Sequence, residues 1–194
     1  MLKIISVTYN HLHELEVSIG SFLLQTDPNW ELLTVHDGIV PETVKTIESR
    51  YKDKRVKFTN TTKRNGKWGH INRKIYLSKI KPNKDDWVLL TNSDNYYCPE
   101  FVEQMMNVAK REKAGIVTCD CIHSHLHYRH HHSSLKIGGI DMGEFIVRAD
   151  IAVKIGFNHT DFAADGMYAV ECGKECEKQG LLMHHIPLAL FVHN

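Results

Sequence analysis

Residues 91–97, Thr91-Asn92-Ser93-Asp94-Asn95-Tyr96-Tyr97, place one carboxylate, carboxamides and hydroxyls directly behind the apolar run Trp87 to Leu90. Oxygen ligands of this kind suit magnesium or manganese, ions that keep coordination positions open for substrate phosphates. Two further polar turns have the same placement: Thr8-Tyr9-Asn10 behind Leu2 to Val7, and His36-Asp37-Gly38 behind Leu32 to Val35. Asp and Asn are also ordinary turn formers, so metal binding at Asp94 competes with a plain turn on these residues alone.

A second group of chemically capable residues is the set His123, His125, His127, His130, His131 and His132, with Cys119 and Cys121 close by. Histidines at alternate positions share one face of a strand. Structural zinc sites carry two paired ligand groups at defined spacing, and that frame is missing here. Cys172 and Cys176 stand four apart, a spacing that reflects packing on one helix face. No partner base is recognisable for a catalytic thiol.

The elements that must position these residues follow from hydrophobic period. Lys3 to Thr8, Trp30 to Val35, Arg55 to Thr59, Trp87 to Thr91 and Gly115 to Cys119 read as strands. Between them lie helical stripes: Leu12, Leu15, Ile19, Phe22 and Leu23; Val44, Ile47 and Tyr51; Trp68, Ile71 and Ile75; Phe101, Val102, Met105, Met106 and Ala109. Trp68 fits a core position or the border of a cleft. The stretch Asp120 to Lys136 carries no helical stripe. Beyond it, Gly143 to Arg148 reads as a strand, Ala149 to Ile155 and Gly166 to Gln179 as helices, and Leu181 to Ile186 as a last strand. Alternating strands and helices predict an α/β domain, a Rossmann-like, mostly parallel central sheet with helices on both faces. In such sheets ligands bind beyond the carboxyl ends of the strands, where Tyr9-Asn10, Asp37 and Asp94 stand.

Bulk properties narrow the class. With 194 residues, 42% hydrophobic and 24% charged, the chain resembles an ordinary globular domain. The formal charge of +1 names no partner and gives no sign of nucleic-acid binding. Cations do dominate between Arg50 and Lys84. That run reads as a solvated face, one that could also meet phosphates or an anionic membrane surface in peripheral association. Five cysteines without a framework argue for a reducing, cytoplasmic setting.

The order of these motifs resembles glycosyltransferase family 2, of the GT-A type, over nearly the whole chain. Ile4-Ile5-Ser6-Val7-Thr8-Tyr9-Asn10 is similar to that family's opening strand and Tyr-Asn turn. Ser18 to Thr26 is similar to the helix ending in Gln-Thr, and Trp30 to Gly38 to the strand ending in Asp-Asp-Gly. Thr91 to Tyr97 stands at the metal motif, with Pro99 at the familiar distance. The resemblance implies a nucleotide-diphospho-sugar transferase fold in one domain, 1–194, with a nucleotide-binding part at about 1–118 and an acceptor-side, catalytic part at about 119–194. It implies a metal-dependent, inverting, hexosyltransferase-type enzyme. The donor would be a nucleotide diphosphate sugar, a UDP-sugar first, and the acceptor a hydroxyl of a glycan, lipid or protein.

Residue by residue, the resemblance implies that Asp37 accepts a hydrogen bond from the base. Thr8, Tyr9, Asn10, Asn72, Asn92 and Ser93 border the donor nucleotide. Asp94 and His193 hold the divalent cation, Mn2+ or Mg2+, and Asp141 stands on the donor-sugar side. Asp165 is the catalytic base, preferred to Asp161, and the His-rich segment lines the acceptor cleft. The chain departs from the family where Asn92 and Ser93 replace carboxylates and where His36 precedes Asp37. Those departures keep open an alternative, a catalytically weak or inactive nucleotide-sugar-binding module of the same fold. A dinucleotide oxidoreductase and a P-loop enzyme lack their glycine-rich turns after the first strand.

Overall fold

The structure is a computed structural model describing residues 1–194. Its first half follows the hydrophobic pattern closely. Strands β1 (Leu2–Thr8), β2 (Trp30–His36), β3 (Val56–Asn60) and β4 (Trp87–Asn92) alternate with helices α1 (Leu12–Leu23), α2 (Glu42–Arg50) and α3 (His70–Leu77). β4 leads through the two-residue β5 (Tyr96–Tyr97) into α4 (Phe101–Arg111) and β6 (Ala114–His123). The second half adds β7 (Arg129–His131), β8 (Phe145–Arg148), α5 (Ala149–Ile155), α6 (Ala164–Lys178) and β9 (Leu182–His193).

The strands form one curled sheet in the order β3-β2-β1-β4-β8-β6-β9-β5, with β7 on β6. β1, β2, β3 and β4 pair in parallel, as do β6 and β9. β8 enters antiparallel between β4 and β6. Parallel strands covered on both faces are apolar almost throughout, as β1 and β4 are. Register brings Thr8 opposite His36 and Val7 opposite Asn92, so the three polar turns emerge at one edge.

Helices cover both faces. On one, Leu15, Ile19 and Phe22 of α1 and Met105 and Met106 of α4 pack with Cys119, Cys121 and Phe191. On the other, Tyr76 and Leu77 of α3 and Ile151 of α5 pack with Tyr168, Cys172 and Cys176 of α6. All five cysteines are free thiols, and all but Cys98 are buried. No helix is long and apolar enough to cross a membrane.

Three local expectations need correction. β9 runs to His193 instead of stopping at Ile186, because a bulge absorbs Pro187 and Leu188: Ile186 pairs with Cys119, but Ala189 with Asp120. Proline has no N–H for a ladder, so the pattern broke where the strand only bulges. The segment 120–136 is not wholly irregular, since β6 extends to His123 and β7 pairs back on it. Trp68 belongs to a short 3-10 turn (Lys67–Gly69) preceding α3, and its side chain is 62% exposed.

Candidate active site

The strand-end turns surround a cleft of about 440 Å³ lined by Thr8, Tyr9, Asp37, Asn92, Ser93 and Asp94, together with His11, Arg64, Lys67 and Trp68. Asp37 comes off β2 only 3% exposed, with its carboxylate committed to the protein. Oδ1 accepts from the Asn65 N–H at 2.8 Å and from Asn72 Nδ2 at 2.9 Å, and Oδ2 accepts from the Gly66 N–H at 2.8 Å. Its first task is therefore to fold the 65–69 turn over the cleft. Asn72, expected at the nucleotide, is fully buried behind Asp37 and bonds Asn65 Nδ2 through its oxygen at 2.7 Å. It braces the wall of the cleft and does not line it.

Arg64, read in the sequence only as part of the cationic run, lays its guanidinium over the Tyr9 ring at 3.8 Å from the centroid. Asn10 takes φ 59, a left-handed conformation that an Asn side chain tolerates. Lys67 and Trp68 adopt φ 53 and φ 51 between Gly66 and Gly69, so four consecutive residues are left-handed. Such strain in non-glycine residues is tolerated only where surroundings over-determine it, as the Asp37 clamp does.

At the floor, Asn92 Oδ1 is taken by the Arg73 guanidinium and is not free to ligate an ion. Arg73 is 1% exposed and also donates to the Trp68 carbonyl at 2.8 Å and the Thr91 carbonyl at 3.3 Å. Burial lowers its pKa, while Asp165, Asp141 and Asp94 oppose that shift. Sequence reasoning placed Arg73 in the solvated cationic run and missed it; the signal was its place at the start of a helix following a glycine-rich turn. Asp94 Oδ1 is buried without a hydrogen-bond partner. Burial raises its carboxyl pKa, and His11 and His193 pull it back. An orphaned carboxylate oxygen at a cleft floor fits a divalent cation, whose charge would supply the missing partner.

Asp165 lies in the first turn of α6. Burial and the neighbouring Asp141 push its pKa up to about 6, against the pull of Arg73. Asp161 is exposed and precedes the helix, its carbonyl accepting from the Ala164 N–H. Asp165, not Asp161, thus joins the carboxylates around Arg73.

Asp141 caps the 142–144 turn: Oδ1 accepts from the Gly143 N–H at 2.9 Å, and Glu144 Oε2 accepts from the Asp141 N–H at 2.7 Å. Its Oδ2 lies 3.7 Å from Nε2 of His193. The His193 ring stacks on His123 with centroids 4.1 Å apart and hydrogen-bonds Ser124 Oγ at 2.9 Å. His123, Asp141 and His193 hold their ligand atoms within 4.8 Å of one another, a grouping that excludes Asp94. The expected pair Asp94 and His193 is therefore near but not gathered into one ligand set. His123, read in the sequence as one of the His-rich segment, was not connected there with Asp141 and His193.

A family model described as Glycosyl transferase family 2 matches residues 3–167. Among solved structures, a 1–349 portion of TarS from S. aureus superposes with a TM-score of 0.76 at 14% identity, over 100% of this chain and 60% of that one. Its complex with UDP-GlcNAc gives 0.75 at 13% identity, over 98% and 57%. The mannosyltransferase PcManGT from Pyrobaculum calidifontis, in complex with GDP-Man and Mn2+, gives 0.71 at 17% identity, over 99% and 56%. The chain spans 56–60% of the length of these structures, and at such identities the likeness is one of fold. Comparison with curated proteins finds no match to the sequence.

Proposed function

The chain belongs to glycosyl transferase family 2, and from that premise we propose that it moves a sugar from a nucleotide diphosphate sugar to an acceptor hydroxyl, with inversion and with a divalent cation at Asp94. The observation that carries the reading is the unpartnered, buried Oδ1 of Asp94 among the residues lining a polar cleft. The UDP-GlcNAc and GDP-Man complexes of proteins with this fold support a nucleotide-sugar donor, with uridine tried first.

The residues divide the work. Tyr9, backed by Arg64, offers a polarised ring face to the base, and Trp68 lines the same cleft. Lys67, His11 and Arg64 bring cationic or protonatable groups to the diphosphate. Held by Asp94, with His193 as a further donor, Mn2+ or Mg2+ would supply Lewis-acid charge against the diphosphate. Asp165 accepts the proton of the acceptor hydroxyl as its oxygen bonds the anomeric carbon and the carbon–phosphate-oxygen bond breaks. One displacement inverts the centre. A carboxylate of pKa about 6 is ionised at neutral pH yet basic enough to share that proton. The donor-binding and catalytic halves, 1–118 and 119–194, form one unit in this reading because Asp141, Asp165 and Asp94 meet around Arg73.

Calorimetric titration of UDP with and without manganese, into wild type and Asp94→Ala, tests the donor site. Manganese-dependent binding that disappears in Asp94→Ala is expected; identical binding by both would sink the assignment. Asn92, tied to Arg73, favours a second reading, a binding module with a weakened metal motif. Transfer or donor hydrolysis by wild type, reduced ~100- to 10,000-fold in Asp165→Asn, separates the enzyme from the binder.

A further inference from the structure

Away from the donor cleft, one carboxylate and three imidazoles converge where β6, β7 and β9 meet. The Asp120 side chain is 0% exposed. Its Oδ2 accepts from His130 Nε2 and from His132 Nδ1, both at 3.0 Å. Its Oδ1 accepts from the Ser133 N–H at 3.0 Å and faces His185 Nε2 at 3.3 Å.

Strand geometry explains the convergence. Cys121 pairs with His131, so Asp120 stands one step along, opposite His132, with His130 on the same face. Cys121, His131 and His123 turn to the other face, toward Glu144 and Asp141. No member of this cluster is shared with the donor site.

We propose that Asp120, His130 and His132, whose ligand atoms lie within 4.8 Å of one another, bind a zinc-class divalent ion distinct from the donor-site cation. Two imidazoles and one carboxylate, with a fourth position open, suit zinc, whereas magnesium and calcium take oxygen ligands. Zinc bonds of ~2.0–2.2 Å place tetrahedral ligand atoms about 3.3 Å apart. The His130 and His132 nitrogens each stand 3.0 Å from Oδ2 of Asp120, and the three ligand atoms lie within 4.8 Å of one another, so little movement is required. His130 and His132 each need only a tautomer change, carrying the proton on the outward nitrogen and turning a lone pair inward. His185, held through Nδ1 by Thr118 Oγ1 at 3.0 Å, faces the other oxygen of the carboxylate, Oδ1, at 3.3 Å and stands outside the close-set group.

The ion would anchor β7, a strand of only three residues. On the far side of β7, His131 Nδ1 meets Glu144 Oε1 at 2.7 Å, and Glu144 holds the Asp141 N–H. Anchoring β7 thereby steadies the Asp141 turn.

Metal-free protein titrated with zinc alone, against a chromophoric chelator, tests the proposal without any nucleotide. Relative to wild type, His130→Ala/His132→Ala should lose one equivalent, or bind it roughly tenfold or more weakly. His123→Ala/His193→Ala should keep it. His132 is 76% exposed, so His132→Ala alone serves if the double variant does not fold. Cobalt in place of zinc should give d–d bands without thiolate charge transfer. Unchanged zinc uptake in both the double and single variants, or no uptake by wild type, overturns the proposal. A thiolate band does so too, because it moves the ion to Cys121.

Discussion

Arg73 and Asp165 set the electrostatics of the cleft between them. Burial and Asp141 raise the pKa of Asp165 to about 6, and Arg73 opposes the rise. A base works ionised, so kcat/KM should climb as pH rises through about 6. In Asp141→Asn a like charge is gone, and the climb should move to lower pH, which a pH–rate profile with an identified donor would reveal. An unmoved limb would mean that burial alone sets this pKa. Arg73→Met leaves Asn92 and the facing carboxylates without their buried cation; removing one side of a buried charge set costs ~3–5 kcal/mol, readable by urea unfolding. Asp94 could be singled out in the sequence because a strand end fixes where its side chain emerges, whereas Asp165 was preferred to Asp161 only on the family resemblance, both standing near a helix start. Arg73 could not be singled out, since residue type says nothing of burial and it stands beside an exposed lysine, Lys74, within a cationic run.

Among the elements, the turn from Asn65 to Gly69 is the least ordinary. The Asp37 carboxylate holds its amides from below, and Gly69 at φ +80 lies so close to β1 that an added Cβ would sit 2.7 Å from Val7 Cγ1. Gly69→Ala should therefore cost ~1–3 kcal/mol by overpacking and left-handed strain, and should weaken UDP binding because Trp68 moves with the turn. Unfolding midpoints and calorimetry on the one variant read both effects. The parallel strands and their helices could be read directly from period and β-branched runs. The position of β8 could not, because nothing local in Phe145–Arg148 says that it pairs antiparallel with β4 and β6. The length of β9 was hidden by Pro187, and the gathering of Asp120 with His130 and His132 by a pairing that only tertiary structure sets.

On the scale of the whole molecule, the sheet is a shared wall between two apolar layers. Neighbouring residues of one strand serve different layers, as Ile116 and Val117 of β6 do, so neither layer can open without loosening the strand that supports the other. The free thiols are distributed in step with this: Cys119 and Cys121 belong to one layer and Cys172 and Cys176 to the other, with Cys98 alone only partly covered. The protein thus carries its own unfolding gauge. A pulse of alkylating reagent across a urea series, followed by digestion and mass spectrometry, reads each pair separately without an introduced label. Both pairs should become reactive at the same urea concentration, Cys98 reacting before either, because a common wall makes the loss of the two layers one cooperative event. Two separate midpoints would instead mark the layer that lets go first.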